Sequence, residues 1–343
     1  MLSGKLLGAS SAAKKQYVAV AHATSPYVTA YPWSTSGFGT KFSNPATLPG
    51  STALGVSFTT AGDAIAVAHA TSPFISVYPW SGSGFGTKFS NPATLPSGAG
   101  RSVGFSAAGD ALAVGHSVTP FVSVYPWSGS GFGAKFSNPA TLPASNGYSV
   151  SFTSSGNALA VGHETTPFIS VYPWSSSGFG AKYSNPATTP TGIGRGVTFT
   201  SNGDAIAVTH DGSPYISVYP WSNSGFGTKF SDPATLPAGA GRGVAFTSAR
   251  DAIAVAHGTT PFITAYPWST SGFGTKFSNP ATLPPSTGTG VDFNSSGDSI
   301  AVCSDTIPFI SVYPWSGSGF GTKYSDPATL PPAACNGISF GEI

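Results

Sequence analysis

Histidine recurs at a fixed spacing in this chain and is a residue that could carry chemistry. The series advances by 47 residues at each step, and serine takes the seventh position: His22, His69, His116, His163, His210, His257 and Ser304. Imidazole is a common metal ligand, so a ring of metal ligands is one interpretation. Repeats arranged around an axis would hold such side chains about 10 Å apart, whereas zinc binds nitrogen at about 2.0 Å. We therefore predict one local hydrogen bond per histidine and no metal site.

A second set of candidates consists of charged residues that interrupt an otherwise uniform repeat. We place them in polar loops at the rim that carries the histidines: Arg101, Arg195 and Arg242 between repeats, and Glu164 and Asp211 after the histidines. A single asymmetric partner would select for deviation from the repeat, so this variable rim is a candidate binding surface. Sequence drift on solvated loops is the alternative.

A third set is the aromatic pair that flanks the turn W-S-x-S-G-F in every repeat. Its members are Trp33, Phe38, Trp80, Phe85, Trp127, Phe132, Trp174, Phe179, Trp221, Phe226, Trp268, Phe273, Trp315 and Phe320. Aromatic side chains are enriched at interaction hot spots, so these turns could form a uniform face for glycans or for a symmetric partner. Packing between repeats is the alternative.

Signals for catalysis are weak. The middle of the first strand of each repeat offers a single acid, Asp292, and no nucleophile–base motif is visible. We therefore predict that the chain is not an enzyme and needs no cofactor. Cys303 and Cys335 are the only cysteines, and because we read no secretory signal we expect two free thiols, with a disulfide as the alternative.

The repeat itself defines the architecture. All seven tryptophans are 47 residues apart in a chain of 343 residues, and a period of about 40–50 residues indicates a propeller or an array. Charged residues make up 8% of the chain and the net charge is +2, so no basic field for nucleic acid is present. No apolar run approaches the roughly 18 residues of a membrane helix, so we expect no membrane insertion.

Each repeat contains four short segments with strand chemistry. In the second repeat they are GVSF (55–58), AIAVAH (64–69), FISVYPW (74–80) and KFSNPATLP (88–96). All are short, bounded by Gly, Pro, Asn or Ser, and mostly β-branched or aromatic. The chain starts its repeats at the second segment, at Gln16, and ends just after an extra first segment, 337–340. Pairing these ends would close a ring without open sheet edges.

The run from VxF through GDxIAV to PFISVYPW resembles the WD-repeat and YVTN-type propeller families over residues 16–343, with YPWS in place of the WD dipeptide. This resemblance implies an all-β fold, the seven-bladed β-propeller of four-stranded blades that the period also indicates. Residues 1–15 do not match the repeat, and we expect a flexible tail there, with a short docking peptide as the alternative. The near-identical repeats also resemble repeat proteins of tailed bacteriophages and marine viral genomes.

These observations lead to a functional hypothesis. We predict a non-catalytic structural or binding propeller on a phage virion surface, as a tail, fibre or capsid-decoration component made in the host cytoplasm. Its partners would be other virion proteins or host-surface glycans and proteins, without nucleic acid. A lectin-like module and a protein-interaction scaffold are the alternatives, which a glycan array would separate by seven-fold avidity.

Overall fold

The computed structural model describes residues 14–343, and its strands form seven four-stranded antiparallel sheets, the blades of a ring. Blade 1 combines β28 with β1–β3, and blades 2 to 7 each contain four consecutive strands from β4 to β27. We call the strands of a blade a, b, c and d from the axis outward. The predicted all-β, seven-bladed architecture is confirmed. Within the described range no helix is long and apolar enough to cross a membrane.

The strand bounds repeat almost without change. The a strands are β4 (Ala53–Phe58), β8 (Gly100–Phe105), β12 (Gly147–Phe152), β16 (Gly194–Phe199), β20 (Gly241–Phe246), β24 (Gly288–Phe293) and β28 (Cys335–Glu342). The b strands are β1 (Gln16–His22), β5 (Ala64–His69), β9 (Ala111–His116), β13 (Ala158–His163), β17 (Ala205–His210), β21 (Ala252–His257) and β25 (Ser299–Ser304).

The outer half of each blade follows the same plan. The c strands are β2 (Val28–Ser34), β6 (Ile75–Ser81), β10 (Val122–Ser128), β14 (Ile169–Ser175), β18 (Ile216–Ser222), β22 (Ile263–Ser269) and β26 (Ile310–Ser316). The d strands are β3 (Gly37–Phe38), β7 (Gly84–Phe85), β11 (Gly131–Phe132), β15 (Gly178–Phe179), β19 (Gly225–Phe226), β23 (Gly272–Phe273) and β27 (Gly319–Phe320).

The core lies between neighbouring blades. Small residues on one face of β5, such as Ala66, pack against large residues of β9 in the next blade, such as Leu112 and Val114. All of them are fully buried. Large residues fitted against small ones give the close packing of a protein interior, which explains why strand b is apolar on both faces.

Strand exchange closes the ring as predicted. β28 pairs antiparallel with β1, with Phe340 opposite Val18. Reciprocal backbone hydrogen bonds between Lys15 and Ile343, of 3.0 and 2.9 Å, extend the ladder. Lys14 adds an ion pair with Glu342 at 2.5 Å. Of the tail predicted at residues 1–15, residues 1–13 lie outside the described residues, and residues 14 and 15 belong to the closing seam.

The predicted fourth strand is wrong in position. Strand d consists of two residues, such as Gly84–Phe85, and the segment 88–96 is irregular. Pro92 and Pro96 have no amide hydrogen to donate to a ladder, and Phe89 makes a single bond to the Val77 carbonyl at 2.9 Å. The segment instead crosses towards the next blade, where Phe89 packs on Trp127.

A disulfide bond joins Cys303 to Cys335, so the expectation of two free thiols is wrong. Cys303 lies in β25 of blade 7, and Cys335 begins β28 of blade 1. Their Cα atoms are 5.1 Å apart, within the range of protein disulfides. The expectation used the cellular compartment and could not use this proximity, which exists only once the ring has closed.

Candidate functional site

The seven a strands surround an axial channel. The second residue of each a strand lies at the mouth of this channel. This mouth has a volume of about 210 Å³, and its lining residues are Leu54, Arg101, Tyr148, Arg195, Arg242, Thr289 and Asn336. We call this ring the arginine mouth. Deeper in the channel, glycine dominates because a Cβ on Gly243 would approach the Gly290 Cα to 2.9 Å. Long side chains therefore fit only at the mouth.

Tyr148 organises two of the arginines. The guanidinium carbon of Arg101 lies 4.6 Å from the centre of the Tyr148 ring, and that of Arg195 lies 5.4 Å from it. The Arg101 Nε atom is buried and has no hydrogen-bond partner in the protein. A buried donor without a partner is unfavourable by about 1–3 kcal/mol, and an acceptor group bound at the mouth would satisfy it.

An acidic side chain pairs with one of the three arginines, and the other two have no acidic partner among the described residues. Asp211 accepts two hydrogen bonds from Arg195, from Nε at 2.5 Å and from Nη2 at 2.9 Å. These bonds raise the pKa of Arg195, with a further contribution from the charge of Glu164. Among residues 14–343, neither Arg101 nor Arg242 forms an ion pair.

The structure thus brings the three arginines of the predicted variable rim together at one opening, which the sequence did not indicate. Arg101, Arg195 and Arg242 stand in the a strands and not in loops, and they converge on the axis. Asp211 lies behind Arg195, and Glu164 accepts a hydrogen bond from Asn146 at 2.7 Å. Leu54, Thr289 and Asn336 were missed, although their shared register with the arginines was a usable signal.

The predicted aromatic face is mostly interior. The seven tryptophans are between 4% and 7% exposed, whereas the paired phenylalanines are half-buried. Trp80 packs edge-on against Phe42 of the preceding blade at 5.1 Å and against Phe85 at 5.0 Å. Equivalent contacts recur around the ring. What the turns W-S-x-S-G-F offer to solvent is therefore serine and the outer edge of phenylalanine, because the indole rings fill the space between blades.

The local hydrogen bond predicted for the histidines is present at all six. The Nε2 atom of each histidine forms a hydrogen bond with the hydroxyl group seven residues later, on strand c. Examples are His69 with Ser76 at 3.1 Å and His116 with Ser123 at 3.0 Å. All six are fully buried, and burial lowers the pKa of each to about 4. In the described range, no group of three His, Cys, Asp or Glu side chains is placed to hold a metal ion.

Asp292 is the one acid on the middle of an a strand. Its Oδ2 atom accepts a hydrogen bond from the Phe340 amide at 2.8 Å, so the carboxyl group of blade 7 contacts the closing strand. Burial raises the pKa of Asp292 to about 7. Asp292 lies at the end of the channel away from the arginine mouth, beside a cavity of about 300 Å³.

No protein-family model and no curated protein matches the chain. Solved structures do resemble it. A proposed 6-phosphogluconolactonase from Bacteroides fragilis matches with a TM-score of 0.78 at 10% identity, covering 96% of this chain and 99% of that one. Another from Bacteroides uniformis matches with a TM-score of 0.73 at 13% identity, covering 95% and 99%. The β-propeller domain of Cps50 (Swd1) from Myceliophteria thermophila matches with a TM-score of 0.60 at 11% identity, covering 84% and 90%.

These structures correct one prediction and support another. The prediction that the chain is not an enzyme does not stand, because two propellers of this fold bear the name of an enzyme and the lack of a familiar motif does not exclude catalysis. At 10–13% identity the likeness shows the fold alone. The resemblance seen in the repeats is therefore confirmed at the level of architecture: the chain is a seven-bladed β-propeller with WD-repeat-like structural neighbours.

Proposed function

We propose that this propeller binds a small anionic ligand, carrying a phosphate or carboxylate group, at the arginine mouth. The observation that carries the proposal is the convergence of Arg101, Arg195 and Arg242 on one axial opening. The equivalent positions in the other blades are Leu54, Tyr148, Thr289 and Asn336, so the charge is confined to three of seven nearly identical units.

The chemistry of the mouth favours anions. A guanidinium group presents a planar fork of donors that matches carboxylate and phosphate oxygens. Asp211 and Glu164 offset two of the three arginine charges, which leaves a net positive charge at the opening. A volume of about 210 Å³ is smaller than the roughly 300–1,000 Å³ of a typical ligand pocket. The mouth would therefore hold the anionic head of a ligand, and the remainder would extend over the rim.

The structural neighbours indicate which ligand to test first. The two Bacteroides proteins are named for a phosphorylated sugar lactone, and its phosphate has the charge and size that the arginine mouth would accept. We therefore include 6-phosphogluconolactone as a ligand and as a substrate whose hydrolysis is to be measured.

Calorimetric titration at low ionic strength tests the proposal. Inorganic phosphate and citrate are titrated up to about 10 mM, where even a millimolar Kd gives substantial occupancy. Arg242→Leu introduces the residue that blade 2 carries at this position, and we expect at least about tenfold weaker binding, equivalent to about 1.4 kcal/mol. Arg250→Gly is the matched control, since it removes one arginine from the opposite side of the ring. Absence of binding to the unaltered protein, or equal loss in both variants, would contradict the proposal.

The more specific hypothesis of a virion surface protein also remains a proposal. We infer it from repeats that are barely diverged and from a surface with few charges. The uniform outer turns would then face other virion proteins or host-surface glycans, in a protein made in the host cytoplasm and carried on the particle. Mass spectrometry of purified particles tests it, and absence of the chain from them would reject it.

A further inference from the structure

A cleft between blades 5 and 6 lies on the face opposite the arginine mouth. Its volume is about 530 Å³, and its lining includes Asp204, Phe230, Arg250, Asp251 and Trp268. We call it the Arg250 cleft. It shares no residue with the arginine mouth, so a ligand of the cleft is independent of the anion proposed for the mouth.

Arg250 occupies a backbone position that disfavours it. Its φ is +62°, in the turn between strands a and b. Glycine occupies this position in blades 2 to 5 and in blade 7, with φ between +69° and +72°: Gly62, Gly109, Gly156, Gly203 and Gly297. A left-handed conformation is disfavoured for a residue with a Cβ atom. The one departure from glycine therefore introduces strain, and such strain is commonly kept at functional sites.

The ion pair that Arg250 makes does not account for this departure. Its Nη1 atom lies 3.3 Å from Asp204 Oδ2 in the neighbouring blade, and the two side chains are 40% and 39% exposed. Ion pairs at such exposure contribute little to stability, because water screens the charges and two flexible side chains must be ordered. At the next joint, between blades 6 and 7, Gly297 is the repeat equivalent of Arg250 and Asp251 is the equivalent of Asp204, so that joint forms without an arginine. The guanidinium of Arg250 is therefore better explained by a ligand.

The lining of the cleft indicates the chemical class of that ligand. The floor is apolar, with Phe230 and Trp268 packed edge-on at 5.1 Å. The lining also includes a guanidinium, two carboxylates and the hydroxyl groups of a serine and a threonine, so the cleft offers both donors and acceptors. An anion would face Asp204 and Asp251, and a cation would face Arg250. A neutral ring with many hydroxyl groups avoids both conflicts, because each hydroxyl can donate and accept.

We propose that the Arg250 cleft binds a neutral saccharide, with its apolar ring face on the half-buried Phe230 and its hydroxyl groups bonded to Arg250 and the two carboxylates. The volume of about 530 Å³ lies within the range of small-molecule pockets. Binding would occur once per ring, because only the joint between blades 5 and 6 carries the arginine. A seven-fold lectin would instead bind equally at every joint.

Saturation-transfer NMR with maltose, lactose and N-acetylglucosamine, followed by titration of the strongest binder, tests the proposal. Arg250→Gly restores the residue that five other blades carry, so folding is secure and the melting temperature should stay level or rise. We expect this variant to bind the sugar about tenfold or more weakly. Gly297→Arg transplants the arginine to the joint between blades 6 and 7, opposite Asp251, and we expect the stoichiometry to rise from one to two.

Four results would overturn the proposal. The first three are no saturation transfer from any of the three sugars, unchanged affinity in Arg250→Gly, and seven sites per chain in the unaltered protein. The fourth is that glucose 6-phosphate or glucosamine binds more tightly than glucose, and that this tighter binding is lost in Arg250→Gly. The last result would assign the cleft to a charged ligand. Loss of phosphate binding at Arg242 alone would bear on the arginine mouth and leave this cleft unaffected.

Discussion

The guanidinium of Arg101 stacks on the ring of Tyr148, with 4.6 Å between the guanidinium carbon and the ring centre. Arg195 approaches the same ring at 5.4 Å. Blade 4 thus supplies an aromatic support for arginines of the two blades that flank it. A guanidinium held by stacking loses less freedom when it binds an anion, so Tyr148 is expected to prepare the arginine mouth for its ligand.

Tyr148→Leu should weaken phosphate binding without removing an arginine. A cation–π contact contributes about 0.5–2 kcal/mol, so losing both contacts should weaken binding roughly tenfold or more. Tyr148→Phe keeps the ring and should bind within about threefold of the unaltered protein, since only a hydroxyl is lost. Calorimetric titration with phosphate measures both variants. Equal binding in Tyr148→Leu and the unaltered protein would mean that the ring does not position the arginines.

The six buried histidines should make the ring sensitive to acid. Their pKa falls from 6.5 in the unfolded chain to about 4 in the folded one, so the unfolded chain binds more protons between these values. Stability therefore falls as the pH drops from 6.5 towards 4. Each histidine contributes about 1.4 kcal/mol per pH unit over this range, so the six together exceed the roughly 5–15 kcal/mol of total stability before pH 4 is reached. We expect the protein to unfold cooperatively before the pH reaches 4, and tryptophan fluorescence measures this transition.

His116→Ala provides the matching single-site test. It leaves the Ser123 hydroxyl, now 3.0 Å from Nε2, without its partner. The expected loss is about 1–3 kcal/mol at pH 7, with a shallower dependence of stability on acid because one proton-linked group is gone. Urea unfolding at several pH values measures both effects. An unchanged pH dependence would show that the histidines do not control acid stability.

Asp292 should act in the opposite sense. Burial raises its pKa to about 7 from 3.8, so the folded protein binds the extra proton between these values. Its contribution to stability is therefore lost as the pH rises from about 4 to 7. Asp292→Asn keeps an oxygen for the Phe340 amide and cannot ionise, so we expect this variant to gain a few kcal/mol relative to the unaltered protein at pH 8 and little at pH 4. Guanidinium unfolding of both proteins over this range decides the matter, and a constant difference would contradict the assignment.

The seam should be the weakest joint once its covalent link is removed. The disulfide closes a segment with a sequence separation of 32, which corresponds to roughly 3–4 kcal/mol of stabilisation through the unfolded chain. We expect Cys303→Ala with Cys335→Ala to lower the free energy of unfolding by about this amount, measured in urea. Reducing agent should lower the melting temperature of the unaltered protein and leave that of the double variant unchanged.

Deletion of residues 337–343 removes most of β28 and tests closure separately. β1 would then present an open edge, and exposed edges promote association between chains. Light scattering and size-exclusion chromatography should show aggregation of the truncated chain. A monomer with an unchanged melting temperature would mean that the exchanged strand is dispensable.

Local patterns along the chain determined much of the fold. The period of 47 residues defined seven blades, and the alternation in AIAVAH and the aromatic end of FISVYPW marked strands b and c. The complementary ends predicted strand exchange. Strand d was misplaced, because GF in a glycine-rich stretch resembles a turn and KFSNPATLP resembles an edge strand. Hydrogen bonding to strand c distinguishes them, and that is a property of the assembled blade.

Tertiary structure alone decided the sites. Arg101, Arg195 and Arg242 are repeats apart in sequence, and they meet because strand a of every blade faces one axis. Trp80 became core because Phe42 of the preceding blade covers it, and Cys303 met Cys335 because the last strand joined the first blade. The sequence by itself determined the repeating unit, since strand patterns and turns depend on neighbours in the chain. The ring determined which side chains converge, which are covered and which are linked, since these depend on how separate blades pack.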